Sequence, residues 1–167
     1  MVVLIGNLFS LIGCTLMVLS GLIKEKKNIL TVQCIQFTFM GLANMTLGAF
    51  SGLIANIVSL TRNIVFTRRD TSLSLKLLFI VLQVILSIKQ NMAWVDWLPV
   101  IACVTFTWII DTPSEITLKK VTLFCLICWV IYDFSYLNYV GFSFDLFSIL
   151  SNIVGIILIK KDKKVAA

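Results

Sequence analysis

Histidine is absent from the 167 residues, and only 13% of them are charged. The lack of histidine removes the usual zinc ligand and the usual general base near neutral pH. Soluble domains carry roughly 25% charged residues, so this chain cannot cover a water-facing surface. Proline is nearly missing as well: Pro99 and Pro113 are the two in the chain, which leaves long stretches free to run as unbroken helix. No glycine-rich phosphate loop is present, which excludes direct drive by a nucleotide. The five cysteines, Cys14, Cys34, Cys103, Cys125 and Cys128, all lie inside apolar runs, a placement that excludes a secreted disulfide framework. The first residues lack the basic stretch and small-residue cleavage site of a signal peptide, so the first segment is expected to stay as a membrane helix.

What fills the chain is apolar. Hydrophobic residues make up 59% and the mean hydropathy is +1.02. A bilayer-spanning helix takes about 20 apolar residues, so the length holds six to eight spans and no soluble catalytic domain. An enzyme, a cofactor and a metal site are therefore not expected. The apolar runs predict helices over Val2–Ile23, Ile29–Ala49, Gly52–Thr67, Leu73–Ile88, Val95–Ile110, Thr117–Leu137 and Gly141–Ile159. The fourth and fifth are short and call for a thin or adapted bilayer. The break at Asn91–Asp96 is the weakest, and a six-span reading would make the fourth segment re-entrant.

The formal net charge is +6, but the basic residues stand in short clusters between the apolar runs, which reads as orientation signal and lipid headgroup contact rather than a nucleic-acid surface. With seven spans, thirteen of the fourteen basic residues fall on one side: Lys24, Lys26, Lys27, Arg62, Arg68, Arg69, Lys76, Lys119, Lys120 and the lysines at 160, 161, 163 and 164. Only Lys89 is left for the other. The positive-inside rule then puts the N-terminus outside and the C-terminus in the cytoplasm of a bacterial-type inner membrane.

A shift of 89 residues lays spans one to three on spans five to seven without a gap. Eight identities result, among them Cys14/Cys103, Gly52/Gly141, Ser59/Ser148 and Asn63/Asn152, where chance gives roughly four or five. The polar positions say more: Asn7 falls on Asp96, Asn44 on Asp133 and Asn56 on Asp145. Polar side chains in hydrocarbon face a bundle interior or a wet cavity. The expected architecture is all-α integral membrane: seven transmembrane helices as two parallel three-helix bundles joined by a linker helix, with residues 1–70, 71–90 and 91–167 as the three parts.

The segments Ile5-Gly-Asn-Leu-Phe-Ser-Leu-Ile-Gly-Cys14, Gln33-Cys-Ile-Gln-Phe37 and Gly52-Leu-Ile-Ala-Asn-Ile-Val-Ser-Leu-Thr-Arg-Asn63 resemble the YgjV family of bacterial inner-membrane proteins. The resemblance covers the first seventy residues best and implies membrane location. The 3+1+3 layout also resembles the SWEET sugar transporters and PnuC vitamin transporters, although the Pro-Gln pair of the PQ-loop relatives is missing. That resemblance implies an Asn from the third helix of each half facing a central substrate, which would be Asn63 and Asn152.

From the residues, Asn63 and Asn152 offer amides either to a hydroxylated solute or to interhelical hydrogen bonds. Asn44 and Asp133 are expected toward the outer end, Asp133 as a proton, cation or substrate-donor site or as a hydrated acid. Asp96 and Asp145 read as near-surface acids. Arg62 either snorkels to the basic side or binds an anion or gates. Gln33 and Gln36 fall on the inner half of span two, with Gln36 at an inner gate. Trp108 and Trp129 are candidates for stacking on a substrate ring, while Trp94 and Trp97 read as interfacial anchors. Cys125 and Cys128 lie on one helix face as small packing residues or as a redox pair. The function expected is a small secondary transporter or facilitator of a small polar solute, sugar-like or vitamin-like, by alternating access. The lipid bilayer and that solute are its partners, and homo-oligomerisation is left open. A non-transporting membrane subunit or scaffold and a membrane thiol oxidoreductase are the other classes.

Overall fold

The computed structural model describes residues 2–68, 72–88, 93–135 and 139–165. Among these the chain is helical throughout, with helices α1 (Val2–Leu22), α2 (Lys26–Leu47), α3 (Phe50–Arg68), α4 (Leu73–Ile88), α5 (Trp97–Ile109), α6 (Glu115–Ser135) and α7 (Tyr139–Val165), and a 3-10 turn at Trp94–Asp96 before α5. Arg69, Lys89 and the Asn91 end of the expected break lie outside the described residues. Three helices are long and apolar enough to cross a membrane, over Leu4–Leu22, Phe50–Arg68 and Tyr139–Asp162. The α4 and α5 segments are apolar but shorter. The 16 residues of α4 reach about 24 Å at 1.5 Å per residue.

Local chemistry sets the ends. Gly48 closes α2 at φ 73°, the one positive-φ glycine described, and both its N–H and that of Ala49 return to the Asn44 carbonyl. A side chain there would strain the backbone, so the turn into α3 needs glycine. Ser72 and Ser114 accept the backbone N–H of Leu75 and Thr117, capping α4 and α6. Pro99 falls in the first turn of α5, where a missing N–H costs nothing.

The helices form a closed circuit. α1 packs on α2, α2 on α3, α3 on α5, α5 on α6, α6 on α7, and α7 back on α1; α4 lies outside the circuit against α3 and α5. Phe66 and Phe79 fix it there, their rings edge to face at 5.7 Å. The pattern of exposure is inverted relative to a soluble protein. Leu4, Leu8, Met45, Phe50, Leu78, Ile85, Leu150 and Ile157 point outward, while Gln33, Gln36, Asn56, Arg62, Asn63, Gln83, Asp133, Asp145 and Asn152 are buried. Lipid accounts for both, because it solvates the apolar rim and cannot satisfy polar groups.

Two seams join the first three helices to the last three. At α1–α7 the backbones nearly touch. A Cβ on Gly155 would lie 2.2 Å from the Gly21 carbonyl oxygen, and one on Gly21 would lie 2.9 Å from the Asn152 backbone nitrogen. Lys119, buried at the start of α6, donates to the same Gly21 carbonyl at 2.7 Å. That carbonyl is in the last turn of α1, where the helix dipole favours a cation. Lys119 is thus a buried tie between helices rather than a headgroup contact. Gly155→Ala should destabilise the protein by about 2 kcal/mol through overpacking, seen as a lower thermal midpoint in detergent. Gly41→Ala should be close to neutral, since its Cβ would meet nothing nearer than 3.8 Å.

Candidate functional site

A cavity of about 70 Å³ lies at the centre of the circuit. Every helix except α4 contributes to its wall: Met17 and Ser20 from α1, Gln33, Gln36 and Phe37 from α2, Ser59 and Arg62 from α3, Ala102, Cys103 and Phe106 from α5, Thr122, Cys125, Leu126 and Trp129 from α6, and Asn152 from α7. Its surface is mostly apolar with a few polar groups set into it, and its size accommodates several waters or the head of a small solute. Four pairs of wall residues stand 89 positions apart: Met17/Phe106, Gln33/Thr122, Gln36/Cys125 and Phe37/Leu126.

Arg62 dominates one side. It is 1% exposed, and its guanidinium donates through Nε and Nη2 to Asn63 Oδ1, both at 3.0 Å, and through Nη1 to Thr107 Oγ1 at 3.0 Å and the Cys103 carbonyl at 3.4 Å. The Phe106 ring lies 4.7 Å from the guanidinium carbon. Arg62 does not snorkel: the acceptors that could hold a guanidinium are on α3 and α5, and it turns inward to reach them.

Those bonds redefine Asn63. Its oxygen is taken by Arg62 and its Nδ2 donates to Gln33 Oε1 at 3.1 Å, so the amide is spent inside the bundle and Arg62 presents the α3 surface to the cavity. Asn152 does reach the cavity wall, with Nδ2 anchored on the Ser148 carbonyl of its own helix at 2.9 Å. The expected facing Asn63–Asn152 pair is therefore an Arg62–Asn152 arrangement. Gln36 lines the cavity with Oε1 buried and unpartnered. Trp129 is in the wall, stacked edge to face on Tyr132 at 5.5 Å. Trp108 is outside it, half exposed, its carbonyl accepting from Lys76. Trp94 and Trp97 are exposed at the opposite end from Lys76. Asn44 is half-buried against Gly52, away from the cavity.

The expectation that the acids are hydrated needs correcting. Asp96 and Asp145, near the starts of their helices, and Asp133 are all buried in the protein. Asp133 and Asp145 are close enough to act on each other electrostatically, and Asp145 Oδ2 has no hydrogen-bond partner among the described residues. Helix packing hides them, since α6 and α7 lie side by side. Cys125 donates its S–H to the Ala102 carbonyl at 3.3 Å and Cys103 sits 3.1 Å from Ser59 Oγ, so both thiols pack as small hydrogen-bonded wall groups. No cluster of three or more metal-ligating side chains occurs among the described residues.

Sequence reasoning missed Met17, Ser20, Phe37, Ser59, Ala102, Cys103, Phe106, Thr122 and Leu126 as wall residues. The 89-residue register could have found Thr122, as the image of Gln33. Two outcomes follow. Asn63→Leu should lower stability by about 2 kcal/mol, because it strips a buried guanidinium of its main acceptor. Asp145→Asn should stabilise the protein by about 1 kcal/mol at neutral pH, read as a higher thermal midpoint. The new amide can copy Asn56, whose Nδ2 donates to the carbonyl four residues back at 2.9 Å. A fall in the midpoint would mean that the carboxylate itself holds the fold.

A family model described as Imp-YgjV, bacterial inner membrane protein, matches residues 4–163. No curated protein and no solved structure matches the chain.

Proposed function

The chain belongs to the Imp-YgjV family of bacterial inner membrane proteins, and from that footing we propose that it is a small secondary transporter or facilitator of a small polar solute. On this reading it crosses the membrane seven times and works by alternating access, with no enzymatic step and no cofactor. The central cavity carries the proposal. Its wall draws on all six helices of the two presumed halves and on none of α4, and four pairs of its residues stand one 89-residue register apart. A two-fold axis along the membrane normal predicts that pattern, because it brings matched faces to matched depth.

The packing supports the same axis. Exchanging α1, α2 and α3 with α5, α6 and α7 turns the α1–α2 contact into α5–α6, α2–α3 into α6–α7, and α1–α7 into α5–α3, all of which occur. Residues 1–70 and 91–167 are then the halves, with 71–90 the linker that gives both the same direction. Rocking of the halves about the cavity would open it to either side. Within it, Asn152, Gln36, Arg62 and Trp129 are the groups offered to solute. Asp133, with Asp145 beside it, is the candidate for a coupling proton or cation. Asn44 stays in the proposal as an outer-end position matched to Asp133.

Orientation rests on the basic residues. A reporter at the C-terminus that works only in the cytoplasm should be active, and one that works only in the periplasm should be silent; the opposite result removes the parallel arrangement. Purified protein screened for thermal stabilisation against polar metabolites should respond to a narrow class of them. Asn152→Leu should abolish that response and the matching vesicle uptake while the protein stays folded. Stable protein that neither responds nor transports, and that co-purifies with a larger partner, would support the scaffold class instead.

A further inference from the structure

We propose that the solute is a small organic anion whose carboxylate docks on Arg62, with an O–H or N–H donor on the same molecule reaching Gln36. This deepens the transport reading and rests on it. Three buried cations occur among the described residues, and one is paired with a carboxylate: Lys76, with Asp111 at 2.6 Å. Lys119 sits on the Gly21 carbonyl in the last turn of α1, outside the cavity wall. Arg62 is the one that lines the cavity. Its acceptors are an amide oxygen, a hydroxyl and a backbone carbonyl, all neutral, and no carboxylate among the described residues lies within ion-pair distance of it. The guanidinium is hydrogen-bonded but not neutralised, and it borders the cavity.

The geometry leaves room for a counter-ion. A guanidinium has five N–H donors, and the four bonds described leave one Nη2 hydrogen uncommitted. Phe106 covers a face of the group, which keeps its edge as the docking side. Gln36 lines the same cavity, and its Oε1 is buried and without a partner among the described residues. It requires a donor, which chloride and acetate lack and a hydroxy- or amino-carboxylate has. Opposite demands in one cavity, a cation wanting an anion and an acceptor wanting a donor, define a ligand that carries both.

The test compares charge at constant shape. Full-length protein in detergent is heated in potassium lactate, potassium acetate, potassium phosphate, lactamide or potassium chloride at matched ionic strength, as native, Arg62→Gln, Arg62→Lys and Gln36→Leu proteins. Lactate should raise the native midpoint above lactamide, chloride and phosphate, and above acetate, which lacks the donor. Arg62→Gln should lose the lactate–lactamide difference. Arg62→Lys should keep it with half-maximal concentration raised about tenfold, since the charge stays but the planar donors that fix its position on Asn63 and Thr107 are lost. Gln36→Leu should erase the preference for lactate over acetate. Equal response to lactate and lactamide, a flat response to every anion, a response to phosphate alone, or an unchanged lactate response in Arg62→Gln overturns the proposal. If Arg62→Gln does not fold, the native comparison and Arg62→Lys decide it. Vesicle uptake separates the two claims. Movement of lactamide with no preference for lactate keeps transport and removes the anion. Arg62-dependent stabilisation without uptake of either keeps the anion site and removes transport.

Discussion

A guanidinium surrounded by hydrocarbon keeps its charge, and the protein around it has to supply the acceptors that lipid cannot. Arg62 sets that demand here, and much of the interior follows from meeting it. Asn63 turns its oxygen to the guanidinium, which frees its Nδ2 to reach Gln33 on α2, while Thr107 and the Cys103 carbonyl reach it from α5. One side chain thereby ties three helices together. The same demand explains why α3, whose outward residues Ile57 and Ile64 suit lipid, carries Asn56, Ser59, Arg62 and Asn63 along its inward face.

The two seams solve the same packing problem by different chemistry. Between α1 and α7, glycines let backbones meet, and a lysine borrows the end of a helix as its acceptor. Between α3 and α5, side chains keep the helices apart: Arg62 with Phe106 near the cavity, then Phe66 and Ile110 in the apolar cluster below it, with α4 laid across the outside through Phe79. On the proposed repeat, Gly21 corresponds to Ile110, Gly155 to Phe66 and Lys119 to Leu30. A polar, close junction in one place is thus an apolar, wider one in the other. On that proposal the halves are similar in plan and unequal in grip.

The helices were legible in the sequence because hydropathy decides them. Leu73–Ile88 was read to the residue, and the other helices begin or end within a few positions of their apolar runs, the basic tail of α7 excepted. The interior was only partly legible. Polar residues at helical spacing mark an inward face, which was enough to single out Gln36, Asn152 and Trp129. The direction of a long cationic side chain is another matter. Arg62 and Lys119 both stand near basic clusters, where snorkelling and burial look alike from sequence. The deciding partners, Thr107 and Gly21, are 45 and 98 residues away. The same holds for Asp145, whose hidden position is a property of α6 and α7 lying together.

The middle helix of each group of three raises a question of biogenesis. With 22 and 21 residues, α2 and α6 are long enough to span, yet neither is among the helices apolar enough to do so by composition. Each lies between two others, α2 flanked by α1 and α3, and α6 by α5 and α7. Their glutamines, lysine and aspartate find shelter only against those neighbours. On the proposed seven-span reading, entry into the membrane one helix at a time would strand them in lipid, and the two would be handed over from the insertion machinery together with flanking segments. The order of helices along the chain provides for that, since a more apolar helix, α1 or α5, is made directly before each of them.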